Sequence, residues 1–181
     1  MEPSGAGAIG RALDRLCLAM AVAGGVVICL LAGMTVCSIL GRWSSGIAWL
    51  ASVPVVGDFG PIMGDFEMTK MGTAMAVFLF LPYCHMRGGH VTVDLLMSHA
   101  PRVLRRVVAA LSEILFLVVS ALMTWRLVLG MQQKLRYEQT TMLMEIPVWW
   151  GYGVGIVGLS ILTLVCLYRA LAVCRGQDVH A

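Results

Sequence analysis

Four long apolar stretches dominate this chain: 16–40, 71–86, 107–125 and 146–168. Between them they carry one charge, Glu113. A helix needs roughly 20 apolar residues to cross a bilayer core of about 30 Å. The first and fourth stretches meet that length alone, and the other two meet it with their flanks. Few of the 181 residues then remain for a soluble domain. The expected fold is all-α: an integral membrane protein of four transmembrane helices, forming one membrane domain over 1–181. The expected spans are 16–40, 68–86, 104–129 and 146–170. An outer connection covers 41–67 and an inner loop covers 87–103. The composition agrees, with 59% apolar residues, 13% charged residues and a mean hydropathy of +0.86, outside the soluble range.

The basic residues alternate from one connection to the next. Arg11, Arg15, Arg87, Arg102, Arg105, Arg106, Arg169 and Arg175 fall on one side. Arg42, Lys70, Arg126, Lys134 and Arg136 fall on the other, with Asp58, Asp65, Glu67, Glu138 and Glu145. Basic residues in short loops stay in the cytoplasm, which puts both termini and the inner loop there. Trp43, Trp49, Trp125, Trp149 and Trp150 all fall at expected outer ends, where amphipathic rings sit at headgroup level. The apolar run after Arg11 and Arg15 is longer than the core of a signal peptide and reads as a retained first span.

Glu113 is the one acid well inside a span, where a carboxylate faces protein or water rather than lipid. It reads either as a helix-packing group or as a proton or cation site. With no second ionisable group inside another span, the packing reading is preferred. The six cysteines form no Cys-x-x-Cys pair and read as small apolar residues buried in helices. His85, His90, His99 and His180 lie at span ends, in the inner loop and in the tail. That placement suits neither bis-histidine haem nor a metal-ligand spacing. No cofactor and no metal are expected in this chain, and the small net charge of +3 gives no reason to expect nucleic acid.

Other positions read as structural. Pro82 removes a backbone donor inside the second span and should kink or end that helix. Gly151, Gly155 and Gly158 lie near one face of the fourth span and admit a close neighbouring helix, from this chain or another. Arg42 follows the first span, and Asp65 and Glu67 precede the second. They suit an ion pair that fastens the outer end of the helix hairpin, or a surface for a soluble partner. The stretch 46–56 carries Trp49 and suits a segment lying along the membrane surface.

Three motifs carry a resemblance: Gly64-Asp65-Phe66-Glu67-Met68, then Ala76-Val77-Phe78-Leu79-Phe80-Leu81-Pro82-Tyr83-Cys84, then Gly89-His90-Val91-Thr92-Val93-Asp94-Leu95-Leu96. With Arg42 and Ile146-Pro147-Val148-Trp149, they resemble the small permease subunit of tripartite ATP-independent periplasmic (TRAP) transporters over essentially the whole chain. The outer connection is longer than in the simplest members of that family.

The resemblance implies a non-catalytic subunit of the bacterial cytoplasmic membrane. Its partners would be a large permease subunit, which carries the substrate and sodium sites, a periplasmic substrate-binding protein that delivers organic acids, and membrane lipid. The small subunit would pack on the large one and extend its scaffold. Glu113 and the glycine face would belong to interfaces, Arg42, Asp65 and Glu67 to the outer surface, and His90 and Asp94 to a stabilised inner loop. Two other readings remain open. One is an autonomous four-helix transporter or channel using Glu113. The other is the membrane anchor of a redox enzyme.

Overall fold

The computed structural model describes residues 8–45, 64–88 and 102–174. His90, Asp94, Trp49 and most of the outer connection lie outside them. The described residues fold into four helices: α1 (Ala8–Ser45), α2 (Asp65–Met86), α3 (Arg102–Arg136) and α4 (Trp149–Cys174). Each extends past its expected span at one end or both. α1, α3 and α4 contain stretches long and apolar enough to cross a membrane, Gly10–Trp43, Ala110–Arg136 and Trp149–Ala172. α2 does not reach that apolarity. It begins Asp-Phe-Glu and carries Lys70, Pro82 and His85. Its surroundings account for this, because α1 packs on one side of it and α4 on another.

α1 packs on α2, α2 on α4, and α4 on α3. The helices therefore form a row in the order α1, α2, α4, α3, with α1 and α3 as its edges. Ser38 meets Asp65 at one end of the α1–α2 pair and Asp14 meets Arg87 at the other, so these helices are antiparallel. α4 runs parallel to α2, with Gly158 against Phe78 and Arg169 against His85. α3 runs antiparallel to α4 in one constant register: Gly130 faces Tyr152, Leu127 faces Gly155, and Glu113 faces Arg169. The start of α1 and the end of α4 thus share one end of the row.

That register moves one expected landmark. Trp125 was expected at the outer end, but it falls opposite Val157. At 1.5 Å per residue this is about 12 Å along the row from Trp149, toward the end shared by the start of α1 and the end of α4. α3 continues to Arg136 because the chain turns back only in the hairpin that follows.

The core is small and lies where α4 meets its neighbours. Leu159, Leu162 and Cys166 form it, with Phe78, Leu117 and Leu127 packed against them. Cys17 and Cys166 are buried, as small apolar residues usually are. Cys29, Cys37 and Cys84 are exposed, contrary to the reading of buried helix cysteines.

Pro82 sits inside α2 without ending it, and the helix continues to Met86. Proline has no N–H, so the Phe78 carbonyl one turn earlier loses its helical donor. α4 approaches at this point. A Cβ on Gly158 would lie 2.9 Å from the Phe78 carbonyl carbon and nearer still to its oxygen. Only glycine lets α4 come so close to that carbonyl. A Cβ on Gly155 would meet Leu127 at 2.8 Å and Phe78 at 3.1 Å. The glycine face thus packs within this chain, on α2 and α3.

Candidate functional site

Three helices bring one ionisable side chain each to a buried cluster near the end shared by the termini. His85 comes from the last turn of α2, Glu113 from α3 and Arg169 from α4. All three are buried, at 4%, 7% and 4% exposure. Arg169 Nε donates to Glu113 Oε1 at 2.8 Å. His85 Nε2 lies 2.9 Å from Glu113 Oε2. An ionised carboxylate only accepts, so His85 donates in this pair. Arg169 Nη1 also donates to the carbonyls of His85 and Met86, at 2.9 and 3.0 Å. These carbonyls lie in the last turn of α2, past the reach of its helical donors, although that of His85 also accepts from Gly88 N–H at 3.1 Å. Arg169 therefore neutralises Glu113 and caps α2 with the same guanidinium. The Phe116 ring leans over His85 at 5.2 Å between centroids.

The expectation that Glu113 has no ionisable companion in another span is corrected here. His85 and Arg169 had been read as residues of the membrane boundary. A signal for them was available: a His, a Glu and an Arg lie at similar depth from the same end of three helices. Sequence alone did not show that all three point inward.

His85, Glu113 and Cys166 also offer ligand atoms within 4.8 Å of one another, which the histidine spacing did not anticipate. That donor set could in principle receive a transition metal. Arg169, a fixed cation on the same carboxylate, already supplies the positive charge that a metal would bring.

The opposite end holds a second arrangement. After α3, residues 139–148 form a short hairpin. Thr141 N–H donates to Ile146 O at 3.0 Å, Val148 N–H donates to Gln139 O at 3.1 Å, and Thr140 pairs with Pro147. At its tip, the N–H groups of Met142, Leu143 and Met144 all point at the Glu67 carboxylate, at 3.0 to 3.3 Å. Successive N–H groups of this kind make an anion-binding concavity, here occupied by a side chain of α2. Gly64 seats the same tip. Its φ of +83° favours glycine, and a Cβ there would meet Met144 Cγ at 2.5 Å. The Met142 and Leu143 side chains are exposed, Met142 at 97%.

Asp65 and Glu67, read together from sequence, do different work. Asp65 accepts from the Ser38 hydroxyl at 2.5 Å and from Phe66 N–H at 2.7 Å. Arg42 reaches it only at 3.5 Å from an exposed position, a weak contact. The Ser38 hydrogen bond is the main reason the Asp65 carboxyl is held below its ordinary value. Partial loss of water opposes this, and Phe66 N–H and Arg42 add to it. For Glu67 the loss of water is the largest single effect and pushes upward. Hydrogen bonds from Thr141 and the three backbone N–H groups together outweigh it, so its carboxyl also stays below the ordinary value.

The comparison with known families bears on both ends of the row. The sequence model of the DctQ component of tripartite ATP-independent periplasmic transporters matches residues 31–176. The chain belongs to this family. The match spans part of α1 and all of α2, α3 and α4, and so includes the buried cluster and the clipped hairpin. No curated protein and no solved structure matches the chain. Membership makes it a membrane-protein component of a TRAP transporter, in agreement with the three apolar helices.

Proposed function

We propose that this chain is the small, non-catalytic membrane subunit of a sodium-coupled TRAP transporter that takes up organic acids. All four helices span the bacterial cytoplasmic membrane, with both termini in the cytoplasm. The periplasmic binding protein delivers a carboxylate, and the large permease subunit holds the substrate and sodium sites. This chain packs on the large subunit and extends its scaffold. The family match over 31–176 is the observation that carries the reading.

The closed cluster supports a scaffold role. An ion pathway needs groups that exchange partners with water or substrate. Here Glu113, His85 and Arg169 are buried against one another and against the carbonyls that end α2. On this reading the inner cluster and the Glu67 clip hold the two ends of the row in register. His90 and Asp94 stabilise the inner loop, as the family resemblance implies.

The test is a pull-down from native membranes in mild detergent, with a tag on the C-terminus. Stoichiometric recovery of a large multi-span permease supports the reading. Recovery of a stable homo-oligomer that transports by itself in liposomes, and loses transport on Glu113→Gln, would overturn it in favour of an autonomous transporter.

A further inference from the structure

Arg126 was expected at the outer surface. The register of α3 against α4 places it elsewhere, opposite Ile156. At 1.5 Å per residue this is roughly 10 Å below Trp149, on the way to the buried cluster. The outer boundary cannot lie at the level of Arg126 instead. α4 would then lose its first two turns, and α2 would keep too few residues to cross. Arg126 is exposed, and its guanidinium has no ion pair or hydrogen bond to another described residue. An unpaired cation at such depth is costly in lipid and marks a functional position.

Lys70 shows the usual escape. A helical side chain tilts toward the helix N-terminus. α2 starts at the outer end, so the tilt carries Lys70 toward the headgroups, where it can snorkel. α3 runs the other way, and the same tilt carries Arg126 inward, away from them.

The surface around Arg126 fits a helix. Leu111, Leu115, Val118, Leu122, Trp125 and Leu129 recur at alternating spacings of four and three, and all are exposed. That spacing forms the seam of a left-handed helix pair. α3 is also the least covered of the three long apolar helices. Trp125, on the seam, carries an indole N–H at a depth where lipid offers no acceptor.

We propose that the Leu111–Leu129 seam of α3 is the docking face for a membrane helix of the large permease subunit. That helix brings an acidic side chain to Arg126 at the same depth. The proposal rests on the reading of this chain as a subunit of a larger permease, and it adds which face is used and what the partner must carry.

The experiment uses the complex in native membranes. A photo-crosslinking residue is placed at Leu122 or Leu129 with Arg126 intact, and at the exposed α1 positions Val26 and Leu30 for comparison. Tagged chain is recovered after illumination and its adducts are identified by mass. Adducts to the large subunit are expected from Leu122 and Leu129 at a yield several-fold above those from α1. Arg126→Glu should lower recovery of the large subunit roughly tenfold or more, and Arg126→Lys should restore much of it. The proposal is overturned by α3 adducts to lipid alone or to a second copy of this chain. Adducts to the large subunit from α1 alone would also overturn it. Failure of the unsubstituted chain to recover any large permease would overturn the subunit reading itself. That result is separable, because it involves no change to α3.

Discussion

Removing the Arg169 guanidinium while keeping Glu113 is the sharpest test of the buried cluster. Arg169→Met preserves much of the apolar stem and deletes three hydrogen bonds: one to Glu113 and two to the carbonyls of His85 and Met86. Glu113 is then a buried carboxylate that keeps the His85 contact but has lost its cation. Breaking a buried pair from one side costs about 3–5 kcal/mol. At 1.4 kcal/mol per factor of ten, that shifts the unfolding equilibrium roughly a hundredfold or more. The double variant Glu113→Leu, Arg169→Met removes the stranded charge too. Replacing a buried pair by apolar side chains is often close to neutral. The double variant should therefore be more stable than Arg169→Met alone, by about 2 kcal/mol or more. Reversible unfolding in mixed detergent micelles, followed by tryptophan fluorescence, measures all four corners of the cycle. Additive costs, or an Arg169→Met loss below about 1 kcal/mol, would refute the argument that the guanidinium compensates Glu113 and caps α2.

Four further outcomes follow from the other contacts. Gly158→Ala should destabilise the chain by about 1–3 kcal/mol, because a Cβ collides with the backbone of Phe78 rather than with a movable side chain; the same micelle unfolding reads it, and a neutral result would dissolve the close α2–α4 contact. Glu67→Gln should loosen the hairpin tip, seen as faster hydrogen exchange at Met142, Leu143 and Met144. Both carboxyls at this end sit below their ordinary values, so their contribution is complete above the ordinary values of 3.8 for Asp65 and 4.5 for Glu67 and is lost as pH falls through the lowered values. Protection at the tip of the unsubstituted chain, measured as exchange relative to the intrinsic amide rate, should therefore be lost only below the ordinary Glu67 value of 4.5, and a loss near neutral pH would contradict this. Gly64→Ala should cost about 1 kcal/mol or more from its positive φ alone, with Met144 displaced besides; unchanged protease sensitivity of the 139–148 hairpin would contradict it.

Several individual residues show how far the sequence could be read. Glu113 stood out because it is the one charge in four apolar stretches, and an isolated carboxylate there must face protein. Its partners did not stand out. A His or Arg at the end of an apolar run looks the same whether it faces headgroups or turns into the bundle. Gly158 was legible as a close-approach position, but the sequence left open which helix approaches. Pro82 was legible as a missing donor, but the sequence did not show that α4 would lie against the carbonyl it leaves bare. Glu67 was grouped with Asp65 by proximity, although the two carboxylates face different elements.

By itself the sequence determined the helical class, the order of the apolar helices and the family. Each of these rests on local hydropathy or on contiguous motifs, and needs no knowledge of which helices touch. The tertiary structure decided the row order α1, α2, α4, α3, the meeting of His85, Glu113 and Arg169, the filling of the hairpin's N–H concavity by Glu67, and the register that sets Arg126 opposite Ile156. These depend on helix rotation and register. A shift of one or two residues changes which face a side chain occupies at little cost in hydropathy, so apolar patterning cannot select among the alternatives. The close packing of α4 on α2 and α3 selects among them, by allowing one register in which Gly158 meets the backbone of Phe78 and the buried charges meet each other.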